Sequence, residues 1–189
     1  MNYTKHTVPF PSCSEPTHLD PLQECSIILF DTCSILEDTF VPYLRSLIPL
    51  LNRSKQVLIP QAVMKEVHYL AHSVSSDCRP QAQRAERHLQ SFAQSGFVHF
   101  VGDPAASEHA DHYLIRYAAT NCFDLKPLIV TQDGALLQDL DHLNQVTSRV
   151  GAPIFAGKLS PRGNLVQKQP STPSTESSLH TVLRRYGLN

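Results

Sequence analysis

The chain has 189 residues, 41% of them hydrophobic and 17% charged, which allows one packed α/β domain and excludes wholesale disorder. No apolar run approaches the roughly 20 residues that span a bilayer. Nor does MNYTKHTVPFPSC read as a leader peptide, so an intracellular setting is expected. The five cysteines are odd in number and form no CxxC pair, which argues against a disulfide framework or a zinc ribbon. The net charge of −1 hides an asymmetry. From residue 158 onward Lys158, Arg162, Lys168, Arg184 and Arg185 face only Glu176, a local +4 against about −5 elsewhere.

Residues 1–24 hold four prolines and no regular period, as expected of a loosely ordered arm. The body, 25–157, alternates strand and helix signals. Ser26 to Phe30 is a short apolar run ending at Asp31, the pattern of a buried parallel strand. A helix capped at Asp38 or Thr39 then carries Leu44, Leu47, Ile48 and Leu51 on one stripe, with Pro49 weakening its last turn. Gln56 to Ile59 is a second strand, and Ala62 to Ala71 a helix with Val63, Val67 and Leu70 on one face. A polar helix follows from about Pro80 to Gln94, closed by Gly96.

Phe97 to Val101 forms the third strand, and Ser107 caps a helix bearing Ala110, Leu114, Tyr117 and Ala118. Pro127 to Thr131 is the fourth strand, with a helix from about Gly134 to Leu143 behind it. Ala152 to Phe155 would be a fifth, edge strand. Strands separated by helices imply a Rossmann-like three-layer α/β/α sandwich around a four- or five-stranded parallel sheet. Residues 158–189 read as a basic Pro/Ser/Thr-rich linker ending in a short helix, with Leu179, Val182, Leu183 and Tyr186 on one stripe.

Four acids stand out. Asp31 and Asp133 sit just beyond strand ends, where open α/β sheets bind ligands. Glu66 shares the inward face of its helix with Val63 and Leu70, and Asp111 precedes Leu114, Ile115 and Ala118 at helical spacing. Taken singly, Asp31 and Asp133 are explained as helix caps, Glu66 as half of an ion pair, and Asp111 as a favourable charge at a helix start. Taken together, four converging carboxylates make sense around one divalent cation, and hard oxygen donors favour Mg2+ or Mn2+.

The motifs around these acids resemble those of the PIN-domain nuclease family. LFDTCSIL is similar to its first motif, VLIPQAVMKEV to the second, ADHYLIRYA to the third and LIVTQDGALLQDL to the fourth, in order over about residues 26–155. The resemblance leans to the larger RNA-processing branch rather than the small VapC-type toxins. It implies a metal-dependent endoribonuclease acting on single-stranded RNA, with Asp31, Glu66, Asp111 and Asp133 as metal-binding catalytic acids. Thr32, Ser34 and Thr131 would be hydroxyls that orient carboxylates or a metal-bound water. Cys33 reads as a small structural thiol, and Asp139 and Asp141 lie at poor spacing for a further acid. Arg79, Arg84, Arg87 and His112 are candidates for guiding nucleic acid, a solvated helix face being the plainer reading of the arginines.

Two alternatives stand beside this one. A haloacid-dehalogenase-like phosphatase usually carries Asp-x-Asp where this chain has Asp31-Thr32-Cys33. A non-catalytic PIN-like module that binds RNA or protein would have lost acids, and none of the four is missing. Expected partners are single-stranded or structured RNA, a second copy of the chain, or a protein docked through residues 178–188. A membrane is not among them.

Overall fold

The computed structural model describes residues 21–51, 55–167 and 184–187. The sheet begins with β1 (Ile27–Phe30), a run of four apolar residues buried on both sides. It pairs in parallel with β2 (Gln56–Pro60) and with β4 (Pro127–Val130). β3 (Val98–Val101) adds to β2, and β5 (Phe155–Leu159) to β4, both parallel. The last strand, β6 (Leu165–Gln167), returns antiparallel along β5. The order is β3-β2-β1-β4-β5-β6, so successive strands run outward to one side from β1 and to the other from β4. The crevice at a switch point of this kind lies between β1 and β4.

Period-two alternation along the strands feeds two separate cores. Ile28, Phe30, Val57, Ile59, Leu128 and Val130 face one way. They pack with Phe40 and Leu44 of α3 (Phe40–Leu47), Val63 and Val67 of α4 (Gln61–His72), and Leu89 of α5 (Arg79–Gln94). Ile27, Leu29, Leu58 and Ile129 face the other way. There they meet Leu114, Ile115 and Ala118 of α6 (Ala110–Leu125), with Leu136, Leu140 and Leu143 of α7 (Gly134–Thr147). The result is the expected three-layer sandwich. None of the described helices is long and apolar enough to cross a membrane.

Several local expectations change. Pro21–Glu24 is a single helical turn, so the arm, as far as it is described, does not run unbroken to residue 24; residues 1–20 lie outside the described part. α3 stops at Leu47 and continues as a 3-10 turn, as a proline at 49 requires. His109, not Ser107, takes the cap position of α6, and it makes no side-chain cap bond.

The fifth strand falls at Phe155–Leu159 rather than 152–155, so the domain boundary drawn at 157 cuts through it. The first part of the basic linker is sheet, because Ser160 and Asn164 close a tight turn that lets Leu165 and Val166 pair with Leu159 and Lys158. Gly157 permits this close pairing: a Cβ there would lie 2.9 Å from both Leu165 Cδ1 and the Val166 carbonyl oxygen. Of the C-terminal stripe only Tyr186 is described; Leu179, Val182 and Leu183 lie outside the described residues.

Candidate metal centre

The register of the two central strands sets the site. Phe30 is level with Val130, so the residues that follow, Asp31 and Thr131, emerge side by side. Asp31 is buried and caps the one-turn helix α2 (Thr32–Ile35). Its Oδ1 accepts from the Thr32 amide at 2.7 Å. Its Oδ2 accepts from the Thr131 hydroxyl at 2.7 Å and from the Cys33 thiol at 2.7 Å. Three neutral donors therefore fix one buried carboxylate, as isolated buried charge demands.

The remaining acids arrive from three different helices. Glu66, in α4 directly behind β2, accepts from the Thr32 hydroxyl at 2.7 Å and from the Ala110 amide at 3.1 Å. That amide is one of the orphan donors at the start of α6. Asp111 is the next residue along, in the first turn of the same helix. Asp133 caps α7, its Oδ1 accepting from the amides of Ala135 at 2.6 Å and Leu136 at 3.2 Å. Its own amide donates to the Thr131 hydroxyl at 2.9 Å, so Thr131 links Asp31 to Asp133. Asp31 and Asp133 are thus helix caps and members of one acidic group at once.

The electrostatics tie the four together. The Asp111 carboxyl is pushed up to about 6, first by burial and then by the charges of Asp31, Asp133 and Glu66, with His109 pulling it partly back. None of the four is in an ion pair among the described residues, whereas Glu24, Asp38, Glu86, Glu108 and Asp139 each have a basic partner. An all-oxygen donor set without a counter-cation fits a hard divalent ion. The acids are spaced loosely, however. Among the described residues the one set of three ligand atoms within 4.8 Å of one another belongs to His68, His72 and Glu86, not to the crevice.

Two of the three proposed hydroxyls, Thr32 and Thr131, bond to the acids. Ser34 does not: it is fully buried, and its Oγ has no hydrogen-bond partner among the described residues. Cys33 does more than fill space. Its sulfur donates to Asp31 and accepts from the Gln132 amide at 3.2 Å, and burial followed by the Asp31 charge pushes the thiol up to about 11. The Asp-x-Cys spacing was the available signal, but nothing in the sequence reveals that the thiol turns back onto Asp31.

The basic candidates are not gathered at the acids. Arg84 is exposed and paired with Asp38, while Arg87 bonds to the Gln83 carbonyl of its own helix at 3.3 Å. Arg79 is exposed at the first turn of α5. His112 is exposed and stacks edge-on against Tyr186, ring centres 5.0 Å apart.

Tyr186, the one described member of the C-terminal stripe, lies against the body of the domain. It packs on the second core, and its hydroxyl donates to Asp139 Oδ2 at 2.8 Å. Arg185 Nη1 reaches the same oxygen at 2.6 Å. The tyrosine hydroxyl is pushed up, first by burial and then by its bond to Asp139, with the Asp111 charge among the smaller causes.

Neither a protein-family model nor a curated protein matches the sequence. Among solved structures, the chain is similar to a domain of a functionally unknown protein from Methanocaldococcus jannaschii DSM 2661, with 16% identity over 79% of this chain and 99% of that one and a TM-score of 0.47.

Proposed function

We propose that this chain is a divalent-metal-dependent endoribonuclease of the PIN type, hydrolysing phosphodiester bonds of single-stranded RNA at the crevice between β1 and β4. The observation that carries the reading is four carboxylates at one sheet edge, where burial and then the other three acids push Asp111 up to about 6, with none of the four in an ion pair among the described residues. Asp31, Glu66, Asp111 and Asp133 would hold Mg2+ or Mn2+. When bound, such an ion lowers the pKa of a water and polarises the phosphoryl oxygen. Thr131, Cys33 and the Thr32 amide keep Asp31 oriented, and Thr32 with the Ala110 amide does the same for Glu66. A bound cation would draw the Asp111 carboxyl, pushed up to about 6 without it, back toward its ionised form. Magnesium, which keeps several waters and takes few carboxylates directly, would not need three acid oxygens within 4.8 Å of one another.

The same spacing is the one observation favouring a second reading, a PIN-like module that binds RNA without cutting it. The two separate on end-labelled single-stranded RNA and DNA of one sequence, incubated with Mg2+, Mn2+ or excess EDTA. Cleavage of RNA that needs metal and vanishes in Asp31→Asn is the expected result. Retention of RNA without cleavage under every metal condition favours the module. Cleavage that persists in EDTA or in Asp31→Asn sinks the nuclease reading.

A further inference from the structure

The face shared by α4 and α5 carries a different group of ligating side chains. His68 and His72 lie one turn apart on α4, and Glu86 reaches them from α5. The ring centres of the two histidines are 4.2 Å apart, and each of the three residues places a ligand atom within 4.8 Å of the others. Glu66 is only two residues before His68, but at 3.6 residues per turn the two project to nearly opposite sides of the helix. Glu66 turns inward to Thr32 and Ala110, whereas the His68 side chain is 63% exposed.

His72 Nδ1 lies 2.9 Å from the His68 carbonyl oxygen, which can only accept, so Nδ1 donates there and Nε2 is the nitrogen left to face a ligand. His68 Nδ1 lies 2.8 Å from Glu86 Oε1, so the imidazole and the carboxylate already meet across the two helices. A ring nitrogen bonded to a backbone carbonyl, as at His72, is a usual support behind a metal-ligating histidine. The two helices are also pinned locally, since Gln83 Nε2 on α5 donates to the Ala71 carbonyl on α4 at 3.1 Å. Lys65, the cation in the same surface hollow, is turned away to the Ala106 carbonyl.

We infer that His68, His72 and Glu86 form a binding site for a borderline transition-metal ion, Zn2+ foremost, separate from the acidic crevice. Imidazole nitrogens with one carboxylate select zinc, nickel or copper and discriminate against magnesium. Three protein ligands leave at least one position open to solvent. A bound ion would clip α4 to α5.

The test is zinc titration of the full chain by calorimetry, with Co2+ absorption as a second readout of ligand geometry. It is run on wild type, on His68→Gln/His72→Gln, on Glu86→Gln, and on Asp31→Asn/Asp133→Asn. The histidines are exposed, so their replacement leaves the fold intact, which far-UV circular dichroism checks. Wild type should take up one zinc that excess Mg2+ does not displace. The histidine pair variant should lose it, Glu86→Gln should weaken it at least about tenfold, and Asp31→Asn/Asp133→Asn should retain it. No zinc uptake by wild type, uptake unchanged in the histidine variant, or uptake lost only in the aspartate variant would each overturn the site. None of these outcomes depends on nuclease activity.

Discussion

Asp133 and Asp139 stand six residues apart in the same stretch of chain, one capping α7 and the other within it, and the protein treats them in opposite ways. Asp139 is buried and answered by a guanidinium and a phenol from the far end of the chain. Asp133 is exposed, bonded to neutral amides, and grouped with three more acids that, like it, make no ion pair among the described residues. Where this chain buries a carboxylate for structure, it supplies the counter-charge itself. Where it gathers carboxylates without supplying one, the charge balance is left to something from solution.

The sharpest attempt to break that contrast is Asp31→Asn. It should lower metal-dependent cleavage by at least about a hundredfold, read as kcat/KM on labelled RNA. Relief of like-charge repulsion would by itself make this change neutral or stabilising to the fold. The three donors converging on Asp31 reverse that sign. The amide group presents a donor where Thr131 and Cys33 need an acceptor, so stability should fall by about 1–2 kcal/mol in denaturant titrations. Activity that survives in Asp31→Asn would mean the crevice acids are merely caps.

The other side of the contrast is tested at the tail. Truncation after Gln167 keeps β6 but removes both partners of Asp139, and the melting temperature should drop by several degrees. Adding Asp139→Asn to the truncated chain should recover part of the loss. Tyr186→Phe alone should cost about 1 kcal/mol. A truncated chain as stable as the full one would show that Asp139 does not need the tail.

A subtler effect concerns protons. Burial, and then the charges of the other three acids, push the Asp111 carboxyl from the ordinary 3.8 up to about 6 in the fold. The folded state therefore holds that proton more tightly. Its contribution favours folding fully below about pH 4 and is lost as the pH rises through about 6. In EDTA, the melting temperature of wild type should fall across this window relative to Asp111→Asn, by a few degrees. Parallel profiles would mean that folding does not raise the Asp111 carboxyl. The smallest change belongs to Asp133→Asn, because asparagine caps a helix about as well as aspartate, so its stability should stay within about 0.5 kcal/mol of wild type.

The strand ends carrying Asp31 and Asp133 are readable from the chain because an apolar run followed by an acid is a local signal. Glu66 and Asp111 are readable because helical spacing places them beside apolar neighbours. Contacts that depend on register between distant segments are not readable. The Cys33 thiol meets Thr131 and Gln132 only once β1 and β4 are paired. Likewise, the spacing of His68 and His72 is visible, but Glu86 joins them only through the way α5 packs on α4. β6 was missed because three residues between Asn164 and a polar stretch give too short a pattern to distinguish strand from linker.

The hydrogen bond between Asp31 and Thr131 joins residues 100 positions apart. During synthesis at about 5–20 residues per second, on the order of 5–20 s separates the appearance of the first acid from that of its partner strand. Long-range parallel pairing is also among the slower steps of folding. A chain still emerging from a ribosome therefore carries Asp31 and Glu66 on one incomplete edge, with neither Thr131 nor Asp133 to finish the crevice. If the assembled site cuts RNA, its late completion keeps the growing polypeptide harmless to the message it is being read from.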